Sequence, residues 1–153
     1  MHDDDDNIYA AFLTDSKLEA EGVWIDYGLF RVKVARAGGA NRRYIACMER
    51  LLRPFQRAVK TESLPNEMAN KIVKSAFAET IISGWETQVS DDQGGTKMVP
   101  MVKIPGVKEL VAPSREAYLQ VFDKAPDLFA DLQAEASRGN IYRTQLREAN
   151  AGN

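Results

Sequence analysis

The sequence predicts an α+β fold, mostly helical, in one domain with a small antiparallel β-hairpin near residues 22–36. Three observations carry this expectation. Residues 22–34 are rich in β-branched and aromatic side chains, and Phe30, Val32 and Val34 alternate with Arg31 and Lys33, the period of a strand with one wet face. Two longer stretches repeat apolar residues every three or four positions, the period of a helix face. A length of 153 residues, 44% apolar and 27% charged, suits one hydrophobic core. The expected organisation is an acidic flexible tail over 1–6, a globular domain over 7–148 and a flexible tail over 149–153.

Residues 7–13 (NIYAAFL) fit either a brief strand or a helical turn. Residues 14–21 are polar, with Asp15 and Ser16 as turn or cap formers. Gly22 to Tyr27 reads as a strand, Gly28 as punctuation, and Phe30 to Val34 as the returning strand. After the break at Gly38-Gly39, Asn41 is a candidate cap for a helix from Arg42 to about Lys60. Its face is Tyr44, Met48, Leu51 and Phe55, broadened by Leu52 and Val59. Pro54 lacks an N–H and should kink this helix or end it near Arg53.

A second helix restarts near Pro65 and carries the rows Met68, Ile72, Ala76, Thr80 and Val73, Phe77, Ile81. It should run to about Ser83, with Gly84 as its stop and Trp85 folded back on the apolar face. Residues 86–97 read as a turn-rich loop. An irregular β excursion is expected near 98–111, held to an edge by Pro100. Ser114 opens a helix to Lys124, and Pro126 opens a last one carrying Leu128, Phe129, Leu132, Ala136, Ile141, Tyr142 and Leu146. Asp123, Asp127 and Asp131 near its start and Arg143 and Arg147 near its end suit the helix dipole. Gly139-Asn140 should bend or split it.

Composition excludes much of the usual catalytic vocabulary. His2 is the only histidine and Cys47 the only cysteine. A Ser-His-Asp or Cys-His site needs a base held by packing, and zinc needs Cys or His in sets. No GxxxxGK[ST] or GxGxxG motif occurs. The pairs Gly38-Gly39 and Gly94-Gly95 read as turns, and Asp3–Asp6 as a solvated acidic tail rather than a cation site. No catalytic residue, metal or cofactor is expected. The acidic opening is the opposite of a signal peptide's, no apolar run is long enough to span a membrane, and a single cysteine suits a reduced, intracellular chain.

Charge is segregated. Residues 1–27 hold eight acids and one base, whereas residues 31–60 hold nine bases and one acid. Three readings stay open at this point: neutralisation within the fold, an Arg-rich partner face, or a nucleic-acid footprint. The overall net charge of −2 and the lack of a recognisable nucleic-acid-binding motif weigh against the third.

Several segments taken in order resemble a family of small tail assembly chaperones from long-tailed bacteriophages. They are residues 7–12 (NIYAAF), 18–28 (LEAEGVWIDYG), 34–44 (VARAGGANRRY), 78–86 (AETIISGWE) and 126–132 (PDLFADL), with Tyr142-Arg143 downstream. The acidic run Asp3–Asp6 and the stretch 87–108 fit the pattern least. None of these segments is a catalytic signature. The resemblance implies a non-enzymatic assembly factor in the bacterial host cytoplasm. It would coat the tape measure protein, help recruit major tail tube subunits, and leave before the virion is complete. Self-association is left open, and nucleic acid and membrane are not expected partners. A regulator binding nucleic acid through 31–60, or a structural tail or head–tail joining protein, is the alternative.

Such a chaperone needs an apolar face with a charged rim. The basic helix offers Met48, Leu51, Leu52 and Phe55 as apolar contacts, Arg50, Arg53 and Arg57 as a rim, and Arg42 and Arg43 at its start. The competing reading makes the four apolar residues ordinary core, since an i, i+3/i+4 row is the signature of any core-facing helix. Trp24, Trp85 and Tyr27 read as core or core-edge anchors, and Cys47 as a buried small hydrophobe.

Overall fold

Strand alternation and helical periodicity meet in a four-stranded antiparallel sheet backed by helices. The computed structural model describes residues 8–143. The expected tails, Leu146 and Arg147 lie outside the described residues. Ala10–Phe12 forms one 3-10 turn. The α-helices are α1 (Ser16–Glu21), α2 (Arg42–Leu52), α3 (Gln56–Lys60), α4 (Asn66–Ala76), α5 (Arg115–Lys124) and α6 (Pro126–Ser137). The strands are β1 (Val23–Asp26), β2 (Phe30–Val34), β3 (Ile82–Ser90) and β4 (Thr96–Val99), in sheet order β1-β2-β3-β4.

The expected hairpin is β1–β2, with Trp24 opposite Lys33 and Ile25 opposite Val32. Its turn is made by Gly28, at φ +91, whose N–H donates to Asp26 Oδ1 at 2.8 Å. Alternation sorts the two faces. Val32 and Val34 are fully buried, whereas Trp24 lies on the other face under the Arg31 guanidinium, 4.2 Å from the ring centroid. Arg31 Nε donates to Glu86 Oε1 at 2.6 Å on that same face.

The structure corrects the sequence expectations chiefly around β3. The helix from Pro65 does not reach Ser83: α4 ends at Ala76, one π turn covers Phe77–Ile81, and Ile82 begins β3. Of the stretch 86–97 read as a turn-rich loop, residues 86–90 belong to β3, residues 91–95 form the expected turn, and residues 96–97 begin β4. The helical row ran on because Thr80, Ile81 and Ile82 are buried in succession across the junction. Gly84 is no helix stop. It lies mid-strand under Trp24, where an added Cβ would sit 2.8 Å from Cη2. Within the polar residues 14–21, Asp15 is a cap former as expected: it accepts from the Lys17 N–H at 2.9 Å and opens the short helix α1. The last helix splits where Gly139-Asn140 was expected to bend or split it: α6 ends at Ser137, and helix resumes at 141–143.

The remaining elements follow expectation. Ser114 caps α5 by accepting from the Ala117 N–H at 3.1 Å, and Pro126 opens α6. The excursion near 98–111 consists of β4, ended at Pro100, and a single bridge between Val102 and Val111.

Two aromatic groups hold the core. Tyr27, Phe30, Trp85 and Tyr118 stack in sequence with centroids 4.9, 5.9 and 5.5 Å apart. Tyr44, Phe77, Phe129 and Phe122 meet edge-on or tilted at 6.0, 5.4 and 4.8 Å. Trp85 is thus a core anchor as expected, and Trp24 and Tyr27 are half-buried at the edge. The helices between β2 and β3 leave the sheet as an arm, and the arm positions the candidate site.

Candidate functional site

The arm is fastened at its base. Asn41 is buried, and its side chain does not cap α2 as expected. Its Nδ2 donates instead to the Arg36 carbonyl at 2.9 Å and to the Thr80 carbonyl at 3.4 Å. These bonds tie the start of the helix to both flanks of the sheet. Tyr44 then packs edge-on against Phe77, and Cys47 is buried one turn on. Cys47 Sγ lies 3.4 Å from Glu79 Oε2, and Arg50 Nη2 lies 2.8 Å from both Glu79 carboxylate oxygens. Burial, then the Glu79 contact, pushes the Cys47 thiol up, so it stays protonated and donates. The hydrogen bond from Arg50 holds the Glu79 carboxyl below its usual range.

Beyond Arg50 the chain meets Pro54. There α2 stops at Leu52, a 3-10 turn spans Arg53–Phe55, and α3 resumes to Lys60. The chain then doubles back into α4. An open groove of about 360 Å³ lies between the two limbs. Leu51, Pro54 and Phe55 form one wall, Met68, Ile72 and Ser75 the other, with Arg50 and Lys71 among the lining side chains.

Met48, Leu51, Leu52 and Phe55 are each half-buried. They are neither free surface nor part of the main core, whose cluster takes Tyr44, Val73 and Phe77 from this part of the chain but none of residues 45–71. Ile45 and Val59 are exposed.

Of the residues singled out in the sequence, the groove gathers Arg50, Leu51 and Phe55. Arg43, Arg50 and Arg53 line a neighbouring recess with Glu79. Arg42, Met48 and Arg57 line neither. Pro54, Met68, Lys71, Ile72 and Ser75 were not anticipated as site residues. The row Met68, Ile72 was visible as one helix face, but nothing local says that it faces Leu51 and Phe55.

Charge is only partly neutralised within the fold. Among the nine bases of 31–60, Arg31 pairs with Glu86, Arg36 with the buried Glu19, and Arg50 with Glu79. Arg42, Arg53, Arg57 and Lys60 are exposed and make no ion pair among the described residues. An open apolar groove lined by Lys71 and next to a recess lined by the unpaired Arg53 is suited to an amphipathic segment with acidic flanks.

Among the described residues there is no group of three His, Cys, Asp or Glu side chains placed to hold a metal ion, and no helix long and apolar enough to cross a membrane. No family model, curated protein or solved structure matches the chain.

Proposed function

We propose that this chain is a tail assembly chaperone: a non-catalytic protein that shields apolar strips of a helical tape measure protein in the bacterial cytoplasm. On this reading it also helps bring tail tube subunits to that client and is absent from the finished particle. The observation that supports the reading is the arm groove. Leu51, Pro54, Phe55 and Met68 offer apolar surface beside Lys71, which makes no ion pair among the described residues, with the unpaired Arg53 in the recess next to it. An amphipathic client helix gains from covering its apolar strip, and exposed charge pairs at the rim add register and speed while staying weak enough for release. The ordered resemblance of residues 7–12, 18–28, 34–44, 78–86 and 126–132, with Tyr142-Arg143, to tail assembly chaperones supplies the client's identity.

The test is co-expression of the full chain with the tape measure protein encoded near its gene. Soluble co-purification of the two is expected. The double substitution Arg53→Glu, Arg57→Glu should cut recovery of the client by about tenfold, while thermal stability stays within about 0.5 kcal/mol of the parent because both side chains are exposed. Unchanged co-purification removes the rim from the reading. A client equally soluble without the chain, or the chain found stoichiometrically in purified virions, overturns the function.

A further inference from the structure

Seven large apolar side chains are exposed among the described residues, and they are not scattered. Ile8, Tyr9, Phe12 and Leu13 fall within six consecutive residues as one apolar stretch, and Ile45 and Val59 belong to the arm; the seventh is Leu29. Phe12 is 82% and Ile8 71% exposed, values far above those of a packed core residue. Residues 10–12 make a 3-10 turn in which the Phe12 N–H donates to the Tyr9 carbonyl at 2.8 Å. Ile8, Tyr9, Phe12 and Leu13 stand at i, i+1, i+4 and i+5, so one more turn of helix would line them on one side. None of residues 8–13 lines the arm groove.

The two apolar regions carry opposite charge. Four consecutive acids, Asp3–Asp6, precede the first in sequence. Arg50 and Lys71 line the arm groove, Arg53 and Lys60 line recesses beside it, and Arg57 lies on α3; of these only Arg50 is ion-paired among the described residues. Each copy of the chain therefore holds one acidic apolar segment and one basic apolar groove.

We propose that residues 3–13 of one copy occupy the groove between α2–α3 and α4 of a second copy. Ile8 and Phe12 cover Leu51, Phe55 and Met68, and the aspartates face Arg53, Arg57 and Lys71. A reciprocal exchange satisfies both segments and both grooves in a closed dimer. This concerns copies of the chain alone and does not rest on the client reading. A client that enters the same groove displaces the segment.

Sedimentation equilibrium of the full chain, from micromolar to hundreds of micromolar and at low and high salt, tests it. The expected result is a concentration-dependent dimer that loosens by about tenfold or more as salt screens the rim. The variant Ile8→Ser, Phe12→Ser should be monomeric yet fold normally, since both side chains are exposed. The variant Phe55→Ser should also be monomeric, and mixing the two should restore a heterodimer through the one intact segment and the one intact groove. A parent chain that stays monomeric throughout overturns the proposal, as does association untouched by Ile8→Ser, Phe12→Ser. So does failure of the two folded variants to complement each other. If Phe55→Ser does not fold, Arg53→Glu, Arg57→Glu takes its place in the mixture.

Discussion

The sheet with α5 and α6 and the arm of α2, α3 and α4 are built from similar apolar patterns and end in different states. In the first region the apolar rows meet on all sides: Phe122 and Leu132 are fully buried, and Phe77 and Trp85 almost so. In the second, α2 and α4 join the core through Tyr44 and Val73, while Met48, Leu51, Phe55 and Met68 stay half-buried outside it. A helical period of apolar residues therefore says that a face will be shielded from water, not what shields it. In the arm that shield is incomplete, and the exposed Arg53 and Arg57, which make no ion pair among the described residues, lie on the same limb.

The contrast is sharpest in a pair of matched truncations. Phe122→Ala empties a site of 0% exposure whose ring packs 4.8 Å from Phe129, and should cost about 3–5 kcal/mol. Phe55→Ala removes a ring that water already reaches, and should cost about 1 kcal/mol or less in dilute solution. Chemical denaturation of both variants at low concentration measures the difference. Equal losses would mean that the arm is as tightly packed as the sheet, and the groove would lose its claim to be a surface.

Alkaline pH separates the same two regions more gently. Tyr142 is 0% exposed and its hydroxyl donates to the Val34 carbonyl at 3.2 Å; burial raises its pKa above the ordinary value. Tyr27 is raised too, first by burial and then by its 2.5 Å hydrogen bond to Asp131. A phenol whose folded pKa lies above its unfolded one contributes stability that is complete below the unfolded value, about 10, and fades as pH rises past it. The sheet region should therefore weaken as pH climbs above about 10. Tyr142→Phe should flatten that decline while costing about 1 kcal/mol at neutral pH through the lost hydrogen bond. Denaturation midpoints of parent and variant across the alkaline range check both the slope and the offset. A variant with the parent's slope would rule out Tyr142 as a source of the decline.

How much of this was legible in advance follows from the range of each signal. The β1–β2 hairpin, the break at Pro54, the Ser114 cap and the Pro126 start are written in neighbouring residues, and all stand as expected. β3 was missed because its partners are distant: Phe30, Arg31 and Val32 pair with Thr87, Glu86 and Trp85, some 55 residues on. Period-2 alternation of Trp85, Thr87 and Val89 was there to be read, but the apolar run from Phe77 through Ile82 favoured a continuing helix. The site divides in the same way. Arg50, Leu51 and Phe55 could be singled out from one helix face, whereas Met68 and Lys71 join them only because the chain doubles back after Lys60.

That return contains the smallest and most local test. At the end of α3 the chain reverses through Glu62, which adopts φ +53, the one non-glycine in the left-handed region among the described residues. The Ser63 N–H donates to the Ala58 carbonyl at 2.8 Å and the Glu62 N–H to that of Val59 at 3.2 Å, so the turn closes the helix in the manner usual for glycine. A side chain there costs about 1 kcal/mol, offset in part by the greater freedom of glycine in the unfolded chain. Glu62→Gly should therefore gain about 0.5 kcal/mol. Where that gain appears matters more than its size. If the arm opens separately from the sheet, hydrogen exchange of amides 57–63 should slow while that of β2 and β3 stays unchanged. If protection rises equally in both, the arm and the sheet unfold as one unit, and the half-buried face of α2 is then simply the thin edge of a single core.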